Sequence, residues 1–348
     1  MLSLYPTANA TSLSSPTTFS PRSTRFRMSH GSLPPLPENR IVLSVGTVVV
    51  DFLAAVASYP NPDDKIRTTS LKVQGGGNAG NALICAARLG LSPRLISKVA
   101  NDTQGRGILE ELQADGVDTS SVVVSEEGNS PFTYIIVDNE TKTRTCIHTP
   151  GYPPMIPSDL SQTSLSSALD GARVLYLDGR IHETALLVAQ EAARKYVPIL
   201  VEGERIREGL DDLLKLADYA ICSAKFPQTE EMDVDSLLEL LKQRKDDNIA
   251  IPTCVSSPLT KLRANGVGTV CGRLFVGTAE KVPPSELQDT TGAGDSFIGA
   301  VLYAICSNMP PEKMLPFAAQ VAASCCRAFG ARTGLPHRTD ARLASFLS

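Results

Sequence analysis

The sequence predicts an α/β protein: a mostly parallel sheet covered by helices on both faces, with a small second β-sheet beside it. Three observations lead there. Short β-branched runs alternate with helical segments along most of the 348 residues, and that rhythm builds parallel sheets through β-α-β crossovers. Two of the helices open on glycine-rich segments. Two stretches, one before a glycine triplet and one around residues 121–148, break the alternation and read as antiparallel strands.

The elements follow in order. Residues 1–37 are rich in Ser, Thr and Pro, carry Arg22, Arg25 and Arg27, and hold no acidic residue before Glu38. That is the composition of an organelle transit peptide, with plastid ahead of mitochondrion and cytoplasm as the alternative. The fold is therefore expected over 38–348 as one domain. I-V-L-S-V-G-T-V-V-V-D (41–51) reads as one buried strand ending at Asp51. T-T-S-L-K-V-Q (68–74) is a short strand stopped by Gly75, Gly76 and Gly77, and a helix follows over 78–89. A strand at 94–100 precedes a helix at 104–115. F-T-Y-I-I-V-D (132–138) and T-R-T-C-I-H (143–148) form a hairpin, its turn favoured by Asp138 and Asn139. Strands at 173–178, 197–202 and 219–222 then alternate with helices at 183–195 and 208–217. Helices at 234–245, 295–306 and 312–328 complete the chain.

Composition excludes several classes. The chain is 42% hydrophobic and 20% charged, with a net charge of −4, so the positive footprint of a general nucleic-acid binder is missing. The longest apolar stretch, 41–59, carries Asp51 at its centre, and no membrane span is expected. The eight cysteines show neither C-x-x-C nor zinc spacing and are expected as reduced thiols of an intracellular protein.

Two segments carry chemistry. In G-G-G-N-A-G-N-A-L-I-C-A-A-R-L-G (75–90), Asn78 and Asn81 stand three apart at a helix start and share one face of its first turn. Two carboxamides there offer donors and acceptors suited to a polyol. An Asn-capped helix whose glycines serve the turn alone explains the same residues. In D-T-T-G-A-G-D-S-F (289–297), Gly292, Ala293 and Gly294 present successive backbone N–H groups at a helix N-terminus, a site attractive to anions. Asp295 lies inside that site, where a carboxylate repels phosphate. Its natural role is to accept a proton from an attacking hydroxyl, and the helix terminus is expected to lower its pKa. The plainer alternative is a first-turn helix residue. Neither a Walker A loop nor a Rossmann fingerprint occurs; G-V-G-T-V-C-G (266–272) is misspaced.

Together these segments resemble the ribokinase/pfkB family of carbohydrate and nucleoside kinases from about residue 41 to 335, and ketohexokinase-like members most of all. V-G-T-V-V-V-D, Y-P-N-P-D-D-K-I-R, G-G-N-A-x-N, T-R-T, L-D-G-R and V-E-G-E-R-I-R-E carry the resemblance. It implies a ribokinase-like three-layer α/β/α core with a small β-sheet lid, drawn from about 52–73 and 121–148, that closes over a sugar and often forms a homodimer interface. It implies Asp295 as catalytic base and Gly292, Ala293 and Gly294 as the anion hole. Asp51, Gly77, Asn78 and Asn81 would bind sugar. Arg144 would reach the nucleotide phosphates, with Gly292 and Gly294 beside it. Residues 330–335, beginning at Gly330, would border the adenine. Asp289 and Thr291 match positions of a monovalent-cation loop. The implied cofactors are ATP, Mg²⁺ and K⁺.

Two departures stand out. The family's T-x-G-x-x-G falls on T-C-V-S-S-P, with Val255 and Pro258 where glycines belong, and P-L-T-K-L-R-A-N-G after it lacks the apolar strand expected next. The N-x-x-E motif that orients Mg²⁺ is absent; C-S-A-K-F-P-Q-T-E-E occupies its place, leaving Glu230 or Glu202 as substitutes through water. The favoured function is ATP-dependent phosphorylation of a sugar hydroxyl, a ketose such as fructose first. A non-catalytic regulator or scaffold and a nucleoside kinase are the alternatives.

Overall fold

The computed structural model describes residues 33, 35–205, 207–222, 252–264 and 268–347. The leader up to residue 32, the expected helix at 234–245 and Glu230 lie outside them.

Six parallel strands form the main sheet in the order β10-β9-β8-β1-β4-β5. They are β1 (Ile41–Val45), β4 (Ser92–Ala100), β5 (Asp118–Ser125), β8 (Val174–Leu177), β9 (Ile199–Gly203) and β10 (Tyr219–Cys222). Alternation along the strands divides their side chains between two layers. Val42, Leu95, Val174, Tyr176 and Leu200 face a core shared with α1 (Asn78–Arg88), α6 (Ala293–Cys306) and α7 (Pro311–Cys325). Leu43, Ile96, Leu175 and Val201 face the opposite core, with α3 (Gln162–Leu169), α4 (His182–Arg194) and α5 (Leu210–Leu214). The helix α2 (Thr103–Ala114) links β4 to β5. This is the three-layer α/β/α architecture that the alternation implied.

The lid is a four-stranded sheet in the order β3-β2-β6-β7. It comprises β2 (Val49–Val56), β3 (Ser70–Gly76), β6 (Phe132–Asp138) and β7 (Arg144–Thr149). The pairs β2–β3 and β6–β7 are antiparallel, and β2–β6 is parallel. Lys72 of β3 ties this sheet to the body through the Phe329 carbonyl and the Thr333 hydroxyl.

Two expectations are corrected. The run 41–51 is two strands, so Asp51 does not end a core strand; it sits inside β2 on the lid, opposite Gln74. The chain leaves the main sheet at Gly46, where a Cβ would stand 2.5 Å from the Asp178 carboxyl and 2.7 Å from Ala79. The Asp178 side chain then holds Thr47 through its N–H (2.7 Å) and its hydroxyl (3.0 Å). Second, residues 121–125 belong to β5 of the main sheet, parallel to β4, and not to the lid. A helix between two neighbouring strands returns the chain in parallel. Thr260–Ala264 (T-K-L-R-A) forms β12, which pairs with β13 (Gly268–Gly272) in a hairpin outside the main sheet and adds no apolar strand to it. Beside that hairpin, β11 (Cys254–Ser256) pairs with β14 (Phe275–Gly277).

The helices α1 and α6 cross where Gly299 removes a side chain. A methyl at Gly299 would lie 2.5 Å from the Ala82 carbonyl oxygen and 2.6 Å from the Cys85 Cβ. Overpacking of this kind costs roughly 1–3 kcal/mol. Gly299→Ala is therefore expected to lower stability by about that amount despite alanine's better helix propensity, as thermal or denaturant unfolding will read. An unchanged or raised midpoint would contradict the packing described.

Candidate active site

The site lies at the C-terminal ends of β1 and β8, which are neighbours at the middle of the sheet. Open α/β sheets bind ligands where successive connections diverge to opposite sides. Here the chain after β1 passes up into the lid and the chain after β8 turns at Gly179.

Asp295 stands in the first turn of α6. Gly292 caps that helix at φ 77°, ψ 1°, a left-handed conformation that glycine adopts without strain. A Cβ at Gly292 would also strike Ala331 at 2.5 Å, whereas one at Gly294 would meet nothing within 4 Å. Space is therefore open beside Gly294 at the start of α6, where helix N–H groups lack intrahelical partners, while the Ala293 N–H donates to the Thr290 carbonyl at 3.3 Å.

Asn81, on the first turn of α1, donates from Nδ2 to Asp295 Oδ2 at 2.8 Å. Its neighbour on the same face, Asn78, donates to Glu202 Oε1 (3.2 Å) and accepts from Arg180 Nη2 (3.0 Å). Gly77 brings α1 to this point at φ 86°, where a Cβ would meet the Thr47 carbonyl oxygen at 2.5 Å. Asp51 descends from β2 onto the glycine triplet, and a Cβ on Gly76 would overlap its carboxylate. The four residues expected on the sugar side thus converge with Asp295.

The other predicted residues take definite places. Arg144 of β7 donates from Nη1 to the Thr290 hydroxyl at 2.9 Å, which sets it against the loop before α6. Asp289 is buried and accepts from the Thr291 N–H (2.9 Å), the Thr291 hydroxyl (2.8 Å) and the Gly330 N–H (2.9 Å). It shapes that loop from within. Gly330 packs on the Gln74 side chain. A largely apolar cleft of about 400 Å³ adjoins Gly294, walled by Thr278, Val282, Phe297, Leu315 and Ala319 among others. Residues 330–335 are not among its walls.

Electrostatics correct one expectation. Burial pushes the Asp295 carboxyl up to about 6, although the Asn81 hydrogen bond and the Arg180 and Arg144 charges pull it down. The helix terminus was expected to lower it. Loss of water outweighs the dipole here. Burial likewise raises Asp51 to about 7 against the opposing pull of Arg332. Glu202 rises to about 8 through burial and the nearby Asp295 charge, while Tyr176 donates to it at 2.6 Å.

Several residues that shape the site escaped the sequence reading. Arg332 donates to Asn81 Oδ1 at 2.9 Å and to Glu111 Oε2 at 2.9 Å. Asp178 receives the Thr47 and Arg180 N–H groups. Arg180, Arg205 and Arg207 share the single carboxylate of Glu204. L-D-G-R and V-E-G-E-R were visible as motifs, yet only the fold turns their charges toward Asn78. Nothing in the sequence separates Glu111 from Glu110.

Amides that attract anions on one side of Asp295, and groups that hold hydroxyls on the other, suit phosphate transfer to an alcohol, the chemistry of an ATP-dependent kinase. The family model of the pfkB carbohydrate kinases matches residues 39–338. The chain belongs to that family. Ketohexokinase of Mus musculus is 25% identical over 300 residues, covering 83% of this chain and 97% of the relative. Ribokinase of the same organism is 26% identical over 324 residues, covering 89% and 96%. Among solved structures, Arabidopsis thaliana ribokinase complexed with ribose and ATP matches with a TM-score of 0.63 at 20% identity, over 90% of this chain and 99% of that one. That likeness shows the shared fold.

The raised carboxyls have a consequence for the ligand-free protein. A carboxyl whose folded pKa exceeds its unfolded value binds more protons when folded, so its contribution favours folding at low pH and is lost as pH rises toward the folded pKa. For Asp51 that window runs from about 4 to about 7. Asp51→Asn, isosteric and neutral, is expected to raise ligand-free stability at pH 8 by on the order of 1 kcal/mol or more, and by much less at pH 5. Calorimetry at the two pH values checks this; equal effects at both would contradict a raised Asp51.

Proposed function

We propose that the protein transfers the γ-phosphoryl group of ATP to a hydroxyl of a sugar, a ketose such as fructose being favoured, with Asp295 as the proton acceptor. The observation that carries the reading is the Asn81–Asp295 hydrogen bond at the head of α6. It aims a partly dehydrated carboxylate at the point where the sugar-side helix and the anion-attracting helix meet. With its carboxyl raised to about 6, Asp295 is largely ionised at neutral pH and basic enough to take a proton as the hydroxyl attacks.

Asp51, Asn78 and Asn81 would grip the acceptor hydroxyls, with Gly77 allowing close approach. The amides of residues 292–294 would hold the charge on the transferred group, and such preorganised donors supply a large share of phosphoryl-transfer catalysis. Arg144 would steady the nucleotide phosphates across the Thr290 loop. The apolar cleft beside Gly294 suits the nucleotide's base. Closure of the lid would exclude water that competes with the acceptor.

Two ions are implied by the family. Mg²⁺ would arrive with the nucleotide phosphates. Among the described residues no three metal-binding side chains gather. Glu202, expected to act through water, is bonded by Tyr176 and Asn78. K⁺ at the Asp289–Thr291 loop would have to rely on backbone oxygens, since hydrogen bonds within the loop engage both oxygens of the Asp289 carboxylate. A non-catalytic role draws only on Val255 and Pro258, both distant in sequence from the Asp295 cluster; a nucleoside acceptor remains an outcome of the assay below.

The outer face of the lid supports a homodimer. Val73, Phe52, Tyr134 and Ile147 form one cross-strand row, and Val73, Tyr134 and Ile147 are 55%, 50% and 53% exposed. An apolar row of this kind is a site for association. Tyr134→Lys with Ile147→Glu is expected to convert a dimer to a monomer in light scattering. A wild-type monomer would refute the interface.

For the chemistry, ADP release is measured with Mg²⁺ and K⁺ across fructose, ribose and adenosine. Sugar-dependent release is expected. Asp295→Asn should retain sugar and ATP binding while losing on the order of 10²- to 10⁴-fold in turnover. Near-wild-type turnover of that variant would sink the assignment.

A further inference from the structure

We propose that Arg332 is a positioning residue for phosphoryl transfer: from beneath the sugar side of the cleft it fixes the carboxamide of Asn81 so that this group can only donate to Asp295, and it sets the charge environment of Asp51. The proposal rests on the roles given above to Asp51 and Asp295.

Arg332 lies beyond α7, far along the chain from every sugar-side residue, yet its side chain is 6% exposed and ends under the glycine triplet. Its planar head is spent on that floor. Nε–H donates to Asn81 Oδ1 (2.9 Å), Nη1 to Glu111 Oε2 (2.9 Å) and Nη2 to the Gly76 carbonyl (3.3 Å). Glu111 Oε2 also accepts the Gly75 N–H at 2.7 Å. Arg332 and Glu111 therefore clamp the 75–81 segment from below.

A carboxamide has a donor end and an acceptor end of almost the same shape. Flipped, Asn81 would set its amide N–H groups against the Arg332 N–H and its oxygen against the Asp295 carboxylate. Both contacts repel. Guanidinium carries no acceptor and does not lose its charge, so it holds the amide in one orientation. That orientation aligns the Asp295 carboxylate through Asn81. A neutral donor would satisfy Asn81 less firmly, and a lysine would present a point charge without the fork.

Arg332 also acts on Asp51 through its charge, from the Gly76 carbonyl to which it donates and beside which the Asp51 carboxylate lies. The charged groups bearing on Asp51 are Arg332 and Arg144, which favour its ionised form, and Asp295 and Asp289, which oppose it. Of the two cations Arg332 acts more strongly. An acceptor hydroxyl donates more strongly to the ionised Asp51 carboxylate than to the neutral acid, so Arg332, by favouring ionisation, extends tight acceptor binding to lower pH.

The test uses the full chain and two readouts. Arg332→Gln is expected to lose roughly 10²-fold in kcat through misalignment of Asp295, and to move the acid limb of kcat/KM for the acceptor to higher pH by roughly one unit. Arg332→Lys keeps the charge: the limb stays while kcat falls. Glu111→Gln, at a side chain 45% exposed, leaves the Arg332 charge less neutralised and moves the limb to lower pH. A purely structural role would lower the yield or the melting temperature without moving the limb in opposite directions. Wild-type kcat and an unmoved limb in Arg332→Gln would overturn the proposal; should that variant not fold, wild-type kcat in Arg332→Lys does so.

The second readout needs no substrate. The side-chain amide resonances of Asn81 in the ligand-free protein should titrate with Asp295 in the wild type and lose that response in Arg332→Lys. An unchanged response overturns the proposal. If the wild type phosphorylates no acceptor while the resonances behave as expected, the hold of Arg332 on Asn81 stands and the roles assigned to the site fall.

Discussion

The structure is organised around carboxyl groups held out of water in one cleft. Asp51, Asp295 and Glu202 each lose hydration, and each is raised above the ordinary carboxylate range. Unpaired buried charge is costly, and the surroundings answer that cost residue by residue. Glu202 is bonded by Tyr176 and Asn78. Asp295 receives Asn81 and the field of Arg180 and Arg144. Asp51 keeps the least direct support, on the lid that also carries Arg144 and above a floor that offers it Arg332. A site so built keeps raised carboxyls that a hydrogen-bonding ligand could partner.

Topology makes the convergence possible. β1 lies between β8 and β4, so its C-terminal end opens at the middle of the sheet. From that point Gly46 and Thr47, pinned by Asp178, carry the chain out to the lid, and Gly77 returns it to α1. One excursion places Asp51 on the lid and Asn78 and Asn81 on the body. The crossing of α1 with α6 at Gly299 then brings the starts of the two helices together. Sugar-side and phosphate-side residues, far apart in sequence, meet because two helices with small residues at their contact can approach closely.

Much of this was legible in the sequence. Alternating strands and helices follow from periodicity, and the two glycine-rich helix starts mark themselves by composition. The lid hairpin follows from a turn between β-branched runs. The errors share a physical cause. Residues 41–51 form a mostly apolar run in which the break at Gly46 reflects a contact requirement visible in three dimensions alone. Residues 121–125 look like lid strands until their pairing with β4 is known. The Asp295 pKa was read from its helix position, but burial, a property of the whole fold, has the larger effect. Arg332 and Glu111 were beyond reach because a clamp between distant segments leaves no local spacing, and a surface salt bridge would have the same residue types.

The central claim is that Asp295 takes the proton of the hydroxyl that attacks ATP. The most direct measurement is a structure of the protein with a phosphorylatable sugar and a non-hydrolysable ATP analogue. The account predicts one sugar hydroxyl within hydrogen-bond reach of the Asp295 carboxylate, roughly 2.6–3.2 Å, in line with a terminal phosphate seated on the amides of residues 292–294. A sugar held by Asp51 with no hydroxyl near Asp295, or a terminal phosphate bound away from those amides, would contradict it.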